Sequence, residues 1–311
     1  MEPVIAVRNL TKTYKKLDAV KGISFEVEEG EIFGFLGPNG AGKSTTINMI
    51  CTMLQATSGD ITINGFDANK QKNRVRESIG IIFQENTLDE KLTANENLML
   101  HCRFYKVPKS KRQARITEVL EIVDLVEKRK DRVETFSGGM KRRLEIARGL
   151  LHYPKVLFLD EPTVGLDPQT RAHLWEYILK LKEKEGITMF LTTHYLDEAE
   201  ISDRVAIMDK GEIIALDNPT ALKDQLGGDI IELSTEDNEK ALEEIHEKIE
   251  GAEVSVKDDT IHLKVASSDA FISSFIKTLN IPITKLNIRK PTLNDVFLAF
   301  TGRQIGEPED E

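Results

Sequence analysis

The octapeptide GPNGAGKS, residues 37–44, constrains the fold of this 311-residue chain more than any other feature. It matches the pattern G-x-x-x-x-G-K-[ST] and ends an apolar run, IFGFLG (32–37), that is typical of a buried strand. A helical stretch, TTINMICTML, follows the loop. Because glycines let a loop backbone wrap around a phosphate, this strand, loop and helix predict an α/β nucleotide-binding domain.

Two side chains of the loop have roles that follow from their chemistry. Lys43 would contact the β- and γ-phosphates, and the Ser44 hydroxyl would bind Mg²⁺. The other predicted ATP-binding residues of the loop are Gly37, Pro38, Asn39, Gly40, Ala41, Gly42 and Thr45. A GTPase would need an N-K-x-D motif to read guanine, and the Asn-Lys pair at residues 69–70 continues as Gln-Lys. ATP with Mg²⁺ is therefore the expected ligand.

An acidic pair ends a second apolar run, VLFLDEP (156–162). Ligands of open α/β sheets bind just outside the carboxyl ends of the strands, where Asp160 and Glu161 would lie. Asp160 suits a contact with Mg²⁺, directly or through water, and Glu161 could accept a proton from an attacking water. The structural alternative is a carboxylate pair that caps the turn before Pro162.

A second turn suited to phosphate occurs in TFSGGMKRRLEIARGL (135–150). Adjacent glycines before a helix expose backbone N–H groups at the positive end of the helix dipole, which suits an anion. This turn consists of Ser137, Gly138 and Gly139, and no phosphate cradle lies beside it. The helix that follows is crowded with basic residues, namely Lys141, Arg142, Arg143 and Arg148.

The periodicity of apolar residues predicts two domains. Runs typical of strands recur as far as residue 217, whereas the stretch between Gln84 and Lys155 has helical spacing. Further predicted strands are SIGIIFQ (78–84), TMFLTTH (188–194) and a hairpin over 204–217 that turns at Lys210-Gly211. We therefore predict an α/β domain over residues 1–220, with a helical subdomain at about 86–154.

The second predicted domain covers residues 221–304 and follows a turn-rich linker, DNPTALKDQLGGD (217–229). Its patterns run strand, helix, strand, strand, helix, strand, helix, which is a small α+β domain of the βαββαβ, ferredoxin-like type. An acidic tail occupies residues 305–311. Most of the net charge of −10 belongs here, because residues 221–311 contain 19 acidic and 10 basic residues.

Composition excludes several classes of function. The acidic balance of the C-terminal part argues against a nucleic-acid partner. No apolar run approaches the roughly 18 residues of a membrane span, and MEPVIAV is unlike a signal peptide, so we expect no direct membrane insertion. Cys51 and Cys102 make neither a disulfide framework nor a metal site, so a reducing cytosol is the expected location.

The order of the motifs resembles that of ATP-binding cassette (ABC) transporter ATPases. The similar parts are Tyr14, GPNGAGKS, Gln84, FSGGM (136–140), LDEPTVGLDP (159–168) and TTHYLDEAE (192–200). Together they cover about residues 4–220. FSGGMKRR, THYLDEAE and KPTLNDVFLAFTGR (290–303) resemble the daunorubicin-resistance-like branch, which serves exporters of drugs and antibiotics. Met140 departs from the wider superfamily, where Gln is frequent at this position.

The resemblance implies roles for residues that are ordinary in isolation. Tyr14 would stack on adenine. Gln84 would contact Mg²⁺ or the attacking water and report the nucleotide state to a permease. Glu161 would be the general base, and His194 would hold the γ-phosphate and orient that base. The candidate catalytic residues are thus Lys43, Gln84, Glu161 and His194, and the candidate Mg²⁺ ligands are Ser44, Gln84 and Asp160.

The resemblance also implies partners. Ser137 and Gly139, with the N–H groups around Gly138, would bind the γ-phosphate of ATP held by a second copy, and Asp167 would reach across to it. Two chains would then close head to tail around two ATP molecules. A separate membrane permease would hold this homodimer on the cytoplasmic face of the cell membrane.

Two other functions compete with this hypothesis. One is an ABC ATPase without transport, of the translation or DNA-repair type. Translation-type members usually carry two cassettes, whereas this chain has one. Repair-type members insert a long coiled coil between the Gln loop and the signature, and here only 52 residues separate Gln84 from Ser137. The other is a non-catalytic regulator, against which the intact Lys43, Glu161 and His194 argue.

Overall fold

The chain divides into two units, Met1–Asn218 and Pro219–Glu311, in the computed structural model. The structure describes residues 2–248, 253–257, 260–265, 268, 272, 275 and 281–303. The boundary predicted after residue 220 stays a prediction, as does the extent of the helical subdomain. The predicted acidic tail at 305–311 lies outside the described residues.

Strands dominate the first half of the first unit, and helices and strands alternate after it. In chain order its elements are β1 (Ile5–Tyr14), β2 (Leu17–Val27), β3 (Ile32–Leu36), α1 (Lys43–Ile50), β4 (Ser58–Ile63), β5 (Phe66–Asp67), α2 (Lys72–Ser78), β6 (Ile79–Ile82), α3 (Ala94–Phe104), α4 (Lys109–Ile122), α5 (Gly138–Leu150), β7 (Val156–Asp160), α6 (Pro168–Glu185), β8 (Thr188–Thr193), α7 (Leu196–Ala199), β9 (Arg204–Asp209) and β10 (Glu212–Asp217).

Two sheets form the framework of this unit. The larger has the strand order β10-β9-β3-β8-β7-β6, and the smaller has the order β2-β1-β4-β5. In the larger sheet β9, β3, β8, β7 and β6 are parallel, and only the edge strand β10 runs antiparallel to its neighbour. Strands β3, β7 and β8 are buried along their whole length, as expected for parallel strands covered on both faces.

An aromatic cluster joins the two sheets. Its rings are Phe25 of β2, Phe33 and Phe35 of β3, Phe158 of β7 and Phe190 of β8. The ring centroid of Phe190 lies between 5.1 and 6.0 Å from those of the other four, and all four pairs are tilted. These distances are in the favourable range for aromatic contacts. This packing fixes the smaller sheet against the one that carries the predicted phosphate loop.

The segment predicted to be helical contains α3, α4 and α5, which pack on one another around buried apolar residues. Thr93 and Glu96 form a reciprocal capping box at the start of α3, which satisfies N–H groups that a helix leaves unpaired. Ile116, Val119 and Leu120 of α4 are fully buried, as their helical spacing predicts. Across the described helices, none combines the length and apolarity needed to cross a membrane.

The parallel order decides where the loops meet. Because β3, β6, β7 and β8 run in the same direction, the loops that follow them emerge at one edge of the sheet. Those loops contain Gly37, Gln84, Glu161 and His194 respectively. The hairpin predicted at 204–217 is confirmed as β9 and β10, and its turn residues Lys210 and Gly211 both have positive φ, as a tight hairpin turn requires.

The second unit contains α8 (Pro219–Leu226), β11 (Asp229–Thr235), α9 (Asn238–Lys248), β12 (Glu253–Lys257), β13 (Thr260–Val265), β14 (Ile283–Arg289) and α10 (Leu293–Thr301). Its antiparallel sheet has the order β12-β13-β11-β14. This agrees with the predicted βαββαβ succession. Most of the second predicted helix lies outside the described residues. The residues described in that region are Ser268, Ile272 and Phe275, and all three are helical.

The prediction of a turn-rich linker over residues 217–229 is wrong in part, because α8 occupies Pro219–Leu226. Leu222 is fully buried, and α8 packs against α10. The polar and turn-forming residues around α8 suggested a linker, but a single buried leucine and a proline at the first helical position suffice for a short packed helix.

Candidate active site

The phosphate loop requires glycine at two positions for steric reasons. A Cβ atom at Gly37 would lie 2.2 Å from the carbonyl oxygen of Met208, and one at Gly42 would lie 2.5 Å from that of Ala19. Gly42 also has φ of 104°, which side chains rarely tolerate. The loop is therefore packed tightly against the hairpin β9–β10 and the strand β2, and its shape is fixed.

Helix α1 presents its N-terminus at the end of this loop. Gly42 is its N-cap residue and provides no side chain to satisfy the first N–H groups. Unsatisfied N–H groups and the helix dipole together attract a phosphate. Lys43 is 4% exposed, and its Nζ donates to the carbonyl oxygens of Gly37 (2.7 Å) and Pro38 (3.0 Å). Burial lowers the pKa of Lys43, against the opposing effect of Glu161 and Asp160.

Asp160 ends β7 in a buried position. The Thr192 hydroxyl donates to its Oδ1 at 2.5 Å, and the Ser44 hydroxyl lies 3.5 Å from the same oxygen. Burial raises the pKa of Asp160, and the hydrogen bond from Thr192 only partly opposes this effect. The carboxylate thus lies where a cation would be favourable.

Glu161 has a strained backbone. Its φ is 44°, in the left-handed region that glycine prefers, and its N–H donates to both the carbonyl oxygen (3.2 Å) and the hydroxyl (3.1 Å) of Thr192. Such conformations cost about 1–3 kcal/mol and persist where surrounding contacts enforce them. In this conformation the Glu161 side chain contacts residues that follow the neighbouring strands.

The Glu161 carboxylate is the meeting point of the predicted catalytic residues. Gln84 Nε2 donates to its Oε2 at 3.2 Å, while His194 Nδ1 lies 3.2 Å and Lys43 Nζ 3.9 Å from its Oε1. Because an ionised carboxylate only accepts hydrogen bonds, Nδ1 of His194 carries the proton of this contact. Three residues that follow three other strands therefore meet at the side chain of Glu161, which is 8% exposed.

The donors present fit a magnesium ion. Ser44, Gln84 and Asp160 offer a hydroxyl, an amide and a carboxylate, which are oxygen ligands of the kind that Mg²⁺ prefers. No three His, Cys, Asp or Glu side chains converge as a metal-binding group within the described residues. Mg²⁺ at this site would need phosphate oxygens to complete its coordination, as is usual for nucleotide-bound Mg²⁺.

Four further predicted residues lie at a second place, where α5 and α6 begin, namely Ser137, Gly138, Gly139 and Asp167. Ser137 caps α5 by accepting from Met140 N–H (3.3 Å), and Asp167 caps α6 by accepting from Thr170 N–H (3.0 Å) and hydroxyl (2.6 Å). These Thr170 hydrogen bonds lower the pKa of Asp167. Thr170 also faces Gly139, where a Cβ atom would lie 2.4 Å from its Cγ2.

Ser137 and Gly138 are exposed, so the second turn opens to solvent rather than to the phosphate loop of its own chain. Tyr14 is likewise apart from the Glu161 cluster. Its ring is 43% exposed, with Lys12 Nζ 5.1 Å from the ring centroid. The Met140 side chain is partly buried against the apolar core.

The sequence did not predict Thr192 as a site residue, although it contacts both Asp160 and Glu161. Its position two residues before His194 in TMFLTTH was the available signal. The sequence also did not distinguish Arg142 from the other basic residues of α5, whereas Arg142 is 7% exposed and donates to the carbonyl oxygen of Pro162. Neither role has a local pattern, because both depend on contacts between distant segments.

Comparisons with known proteins agree with this geometry. Residues 20–164 match the family model "ABC transporter", and residues 218–301 match "ATP-binding protein DrrA1-3-like, C-terminal domain". The chain is 42% identical to the linearmycin resistance ATP-binding protein LnrL of Bacillus subtilis, over 97% of this chain and 99% of that protein. It is 35% identical to the daunorubicin resistance ATP-binding protein DrrA2 of Streptomyces coeruleorubidus, over 96% and 95% of the two chains.

A solved structure extends the comparison. The dimeric post-hydrolysis state of the ATP-binding cassette MJ0796, bound to ADP and Pi, superposes with a TM-score of 0.62 at 30% identity. The match covers 69% of this chain and 98% of the cassette.

The raised pKa of Asp160 can be tested through the free energy of unfolding. Burial makes the ionised form of Asp160 unfavourable in the folded chain. The free energy of unfolding is therefore highest while Asp160 is protonated, and it falls as the pH rises from below 3.8, the pKa in the unfolded chain, through the raised pKa of the folded chain. We expect Asp160→Asn to raise the free energy of unfolding at pH 7 by about 1 kcal/mol, a gain typical of relieving a costly active-site group. Urea unfolding in the absence of nucleotide and divalent cation measures this change in the free energy of unfolding.

The gain should shrink as the pH falls towards 4. The control is Asp60→Asn, since Asp60 is exposed on β4 and its replacement should change stability by less than about 0.5 kcal/mol at either pH. An Asp160→Asn variant less stable than the wild type at pH 7 would contradict the assignment of burial as the cause.

Proposed function

Because this chain belongs to the family of ABC transporter ATP-binding proteins, we propose that its ATPase activity powers a separate membrane permease. The observation that carries the proposal is the contact of Lys43, Gln84 and His194 with the carboxylate of Glu161. A phosphate-binding lysine, an amide, a histidine and a carboxylate within hydrogen-bonding or ion-pair reach provide the groups that hydrolysis of a phosphoanhydride requires.

The triphosphate of ATP fits the loop at residues 37–44, where Lys43 and the N-terminus of α1 hold its negative charge. Ser44, Gln84 and Asp160 would hold Mg²⁺, which supplies charge neutralisation to the phosphate oxygens when bound. Glu161 accepts a proton from the water that attacks the γ-phosphorus, and the bond to the leaving ADP oxygen breaks. Nδ1–H of His194 keeps the Glu161 carboxylate oriented for this step.

A second copy would complete each site. Ser137 and Gly138 are exposed at an anion-attracting helix N-terminus, yet the phosphate-binding Lys43 lies elsewhere in the same chain. A head-to-tail homodimer places this turn against ATP on the partner's loop and brings Asp167 to the boundary between the subunits. The similar cassette MJ0796 was solved as a dimer, which supports a dimeric working state.

The names of two relatives suggest the direction and cargo. Resistance to linearmycin and to daunorubicin points to export of antibiotic-like small molecules. We propose the same class of cargo here, with the chain peripheral on the cytoplasmic face of the membrane, bound through its permease. Cargo specificity would lie in the permease, because the groups of the Glu161 cluster recognise phosphate rather than an organic molecule.

Glu161→Gln tests the assignment of the base. Removing the proton acceptor should lower steady-state ATP hydrolysis by at least about 100-fold while ATP binding persists. ATP and Mg²⁺ should then trap a dimer on size-exclusion chromatography. The control Glu176→Gln, at an exposed position of α6, should hydrolyse ATP at the wild-type rate. A Glu161→Gln variant that hydrolyses normally would refute the role of Glu161.

Ser137→Arg tests the second turn. A long cation at this exposed turn would clash with a partner subunit and displace the N–H groups that bind phosphate. We expect binding of a fluorescent ATP analogue to the monomer within about twofold of wild type, but a loss of hydrolysis of about 100-fold, as for removal of transition-state donors. The variant should also fail to form the ATP-trapped dimer when combined with Glu161→Gln.

Its control is Ser110→Arg, at an exposed position near the start of α4, which should hydrolyse and dimerise normally. Dimerisation of the Ser137→Arg, Glu161→Gln double variant would contradict the head-to-tail arrangement.

The permease is tested by co-expression. The protein encoded by the gene adjacent to this one, if it has about six hydrophobic spans, should move the chain from the supernatant to the membrane fraction and change its ATPase rate. An unrelated polytopic membrane protein in the same vector is the control. A chain that stays in the supernatant with the adjacent gene product would contradict this pairing.

A further inference from the structure

The basic residues of α5 fall into two groups that the sequence did not separate. Arg142 and Arg148 are buried, at 7% and 6% exposure, whereas Lys141 and Arg143 are only partly covered. A buried guanidinium is costly unless its donors are satisfied. Arg142 therefore acts through hydrogen bonds to groups inside the protein.

Arg142 donates hydrogen bonds to backbone carbonyl groups next to Gln84 and Glu161, which are called the catalytic pair below. Its Nε donates to the carbonyl oxygen of Pro162 at 2.7 Å, and its Nη1 donates to that of Phe83 at 2.5 Å. Phe83 directly precedes Gln84, and Pro162 directly follows Glu161. The two side chains that hydrogen-bond each other, Gln84 and Glu161, are thus flanked by carbonyl groups bound to one guanidinium.

Glu145, one turn further along α5, holds the other end of the Gln84 loop. It is 2% exposed, and its Oε1 accepts from the N–H (2.9 Å) and hydroxyl (3.2 Å) of Thr87. Its Oε2 accepts from Arg142 Nη1 at 2.8 Å. Arg148 Nη1 also donates to the carbonyl oxygen of Thr87 at 3.2 Å. The short segment from Phe83 to Thr87 is therefore fixed at both ends.

The planar guanidinium explains why an arginine is needed. Nε and Nη1 donate in different directions of one rigid fork, so the Phe83 and Pro162 carbonyl groups are held at a set distance. Nη2 adds a longer bond to the carbonyl oxygen of Asp160, at 3.3 Å. A lysine has the same charge, but its single nitrogen cannot occupy these positions together.

We propose that Arg142, oriented by Glu145, is a positioning residue that holds Gln84 and Glu161 in register and connects both to the α5 turn at Ser137. The inference rests on the proposed function of those residues in ATP hydrolysis. Because Ser137 caps the helix that contains Arg142, displacement of the turn by a partner subunit moves the carbonyl groups that flank the catalytic pair.

Arg142→Lys and Glu145→Gln test the proposal in the full-length chain. Misplacing catalytic groups by about 1 Å costs up to about 100-fold, so we expect kcat for ATP hydrolysis to fall by about 10- to 100-fold in each. The KM for ATP should stay within about twofold of wild type, because Lys43 and the loop at 37–44 are untouched. Arg143→Lys, on the next residue of α5, is the matched control and should leave both constants unchanged.

A second measurement separates positioning from general damage. If Arg142 acts through Gln84 and Glu161, adding Arg142→Lys to a Gln84→Ala, Glu161→Gln variant should lower the residual hydrolysis rate by less than about twofold. The triple variant should also form the ATP-trapped dimer to the same extent as the Gln84→Ala, Glu161→Gln variant. A merely structural defect would instead lower the residual rate again or abolish the dimer, and either result overturns the proposal.

The inference and the proposed function fail in different ways. Wild-type kcat in folded Arg142→Lys and Glu145→Gln variants would overturn the positioning role while leaving the ATPase assignment intact. A large rise in KM with unchanged kcat would overturn it as well. If Arg142→Lys does not fold, the nearly isosteric Glu145→Gln decides the question alone. An inactive wild-type chain would instead overturn the proposed function.

Discussion

The hydrogen bonds and ion-pair contact of the Glu161 carboxylate are the feature on which the rest of the site depends. They connect the segments that follow β3, β6, β7 and β8, because Lys43, Gln84 and His194 each come from a different one of these segments and Glu161 from the fourth. Parallel strands make this possible, since they deliver all four loops to one edge of the sheet. The aromatic packing between β2, β3, β7 and β8 holds these strands against one another.

The same arrangement has an energetic cost. Burial raises the pKa of Asp160 and lowers that of Lys43, so each group is less stable in its charged form than in water. Glu161 in addition occupies a left-handed backbone conformation enforced by Thr192. A bound triphosphate and Mg²⁺ would bring charges that complement Lys43 and Asp160, so the features that lower stability are those that would favour the proposed ligand.

Helix α5 connects the two chemically distinct surfaces of the first unit. Its first residues form an exposed turn suited to an anion, while its next turn buries Arg142 and Glu145 against the loops of Gln84 and Glu161. One rigid element thus touches both the surface assigned to the partner subunit and the backbone around the catalytic pair. The proposed coupling between binding at the turn and hydrolysis at Glu161 runs through this helix.

The sequence by itself predicted the phosphate loop, the buried strands and the helical segment, because each is specified by neighbouring residues through a motif or an apolar period. The candidate catalytic roles of Gln84 and His194 came from the resemblance to a family, since neither residue has a local signal of its own. Only the tertiary structure decided that Arg142 is buried, that Thr192 supports both carboxyl residues, and that residues 219–226 form a helix rather than a linker. These features depend on strand order and on contacts between residues far apart in the chain. Local periodicity shows which face of a helix or strand is apolar. Which residues that face contacts, and which groups pair with each buried charge, depends on how the helices and strands pack.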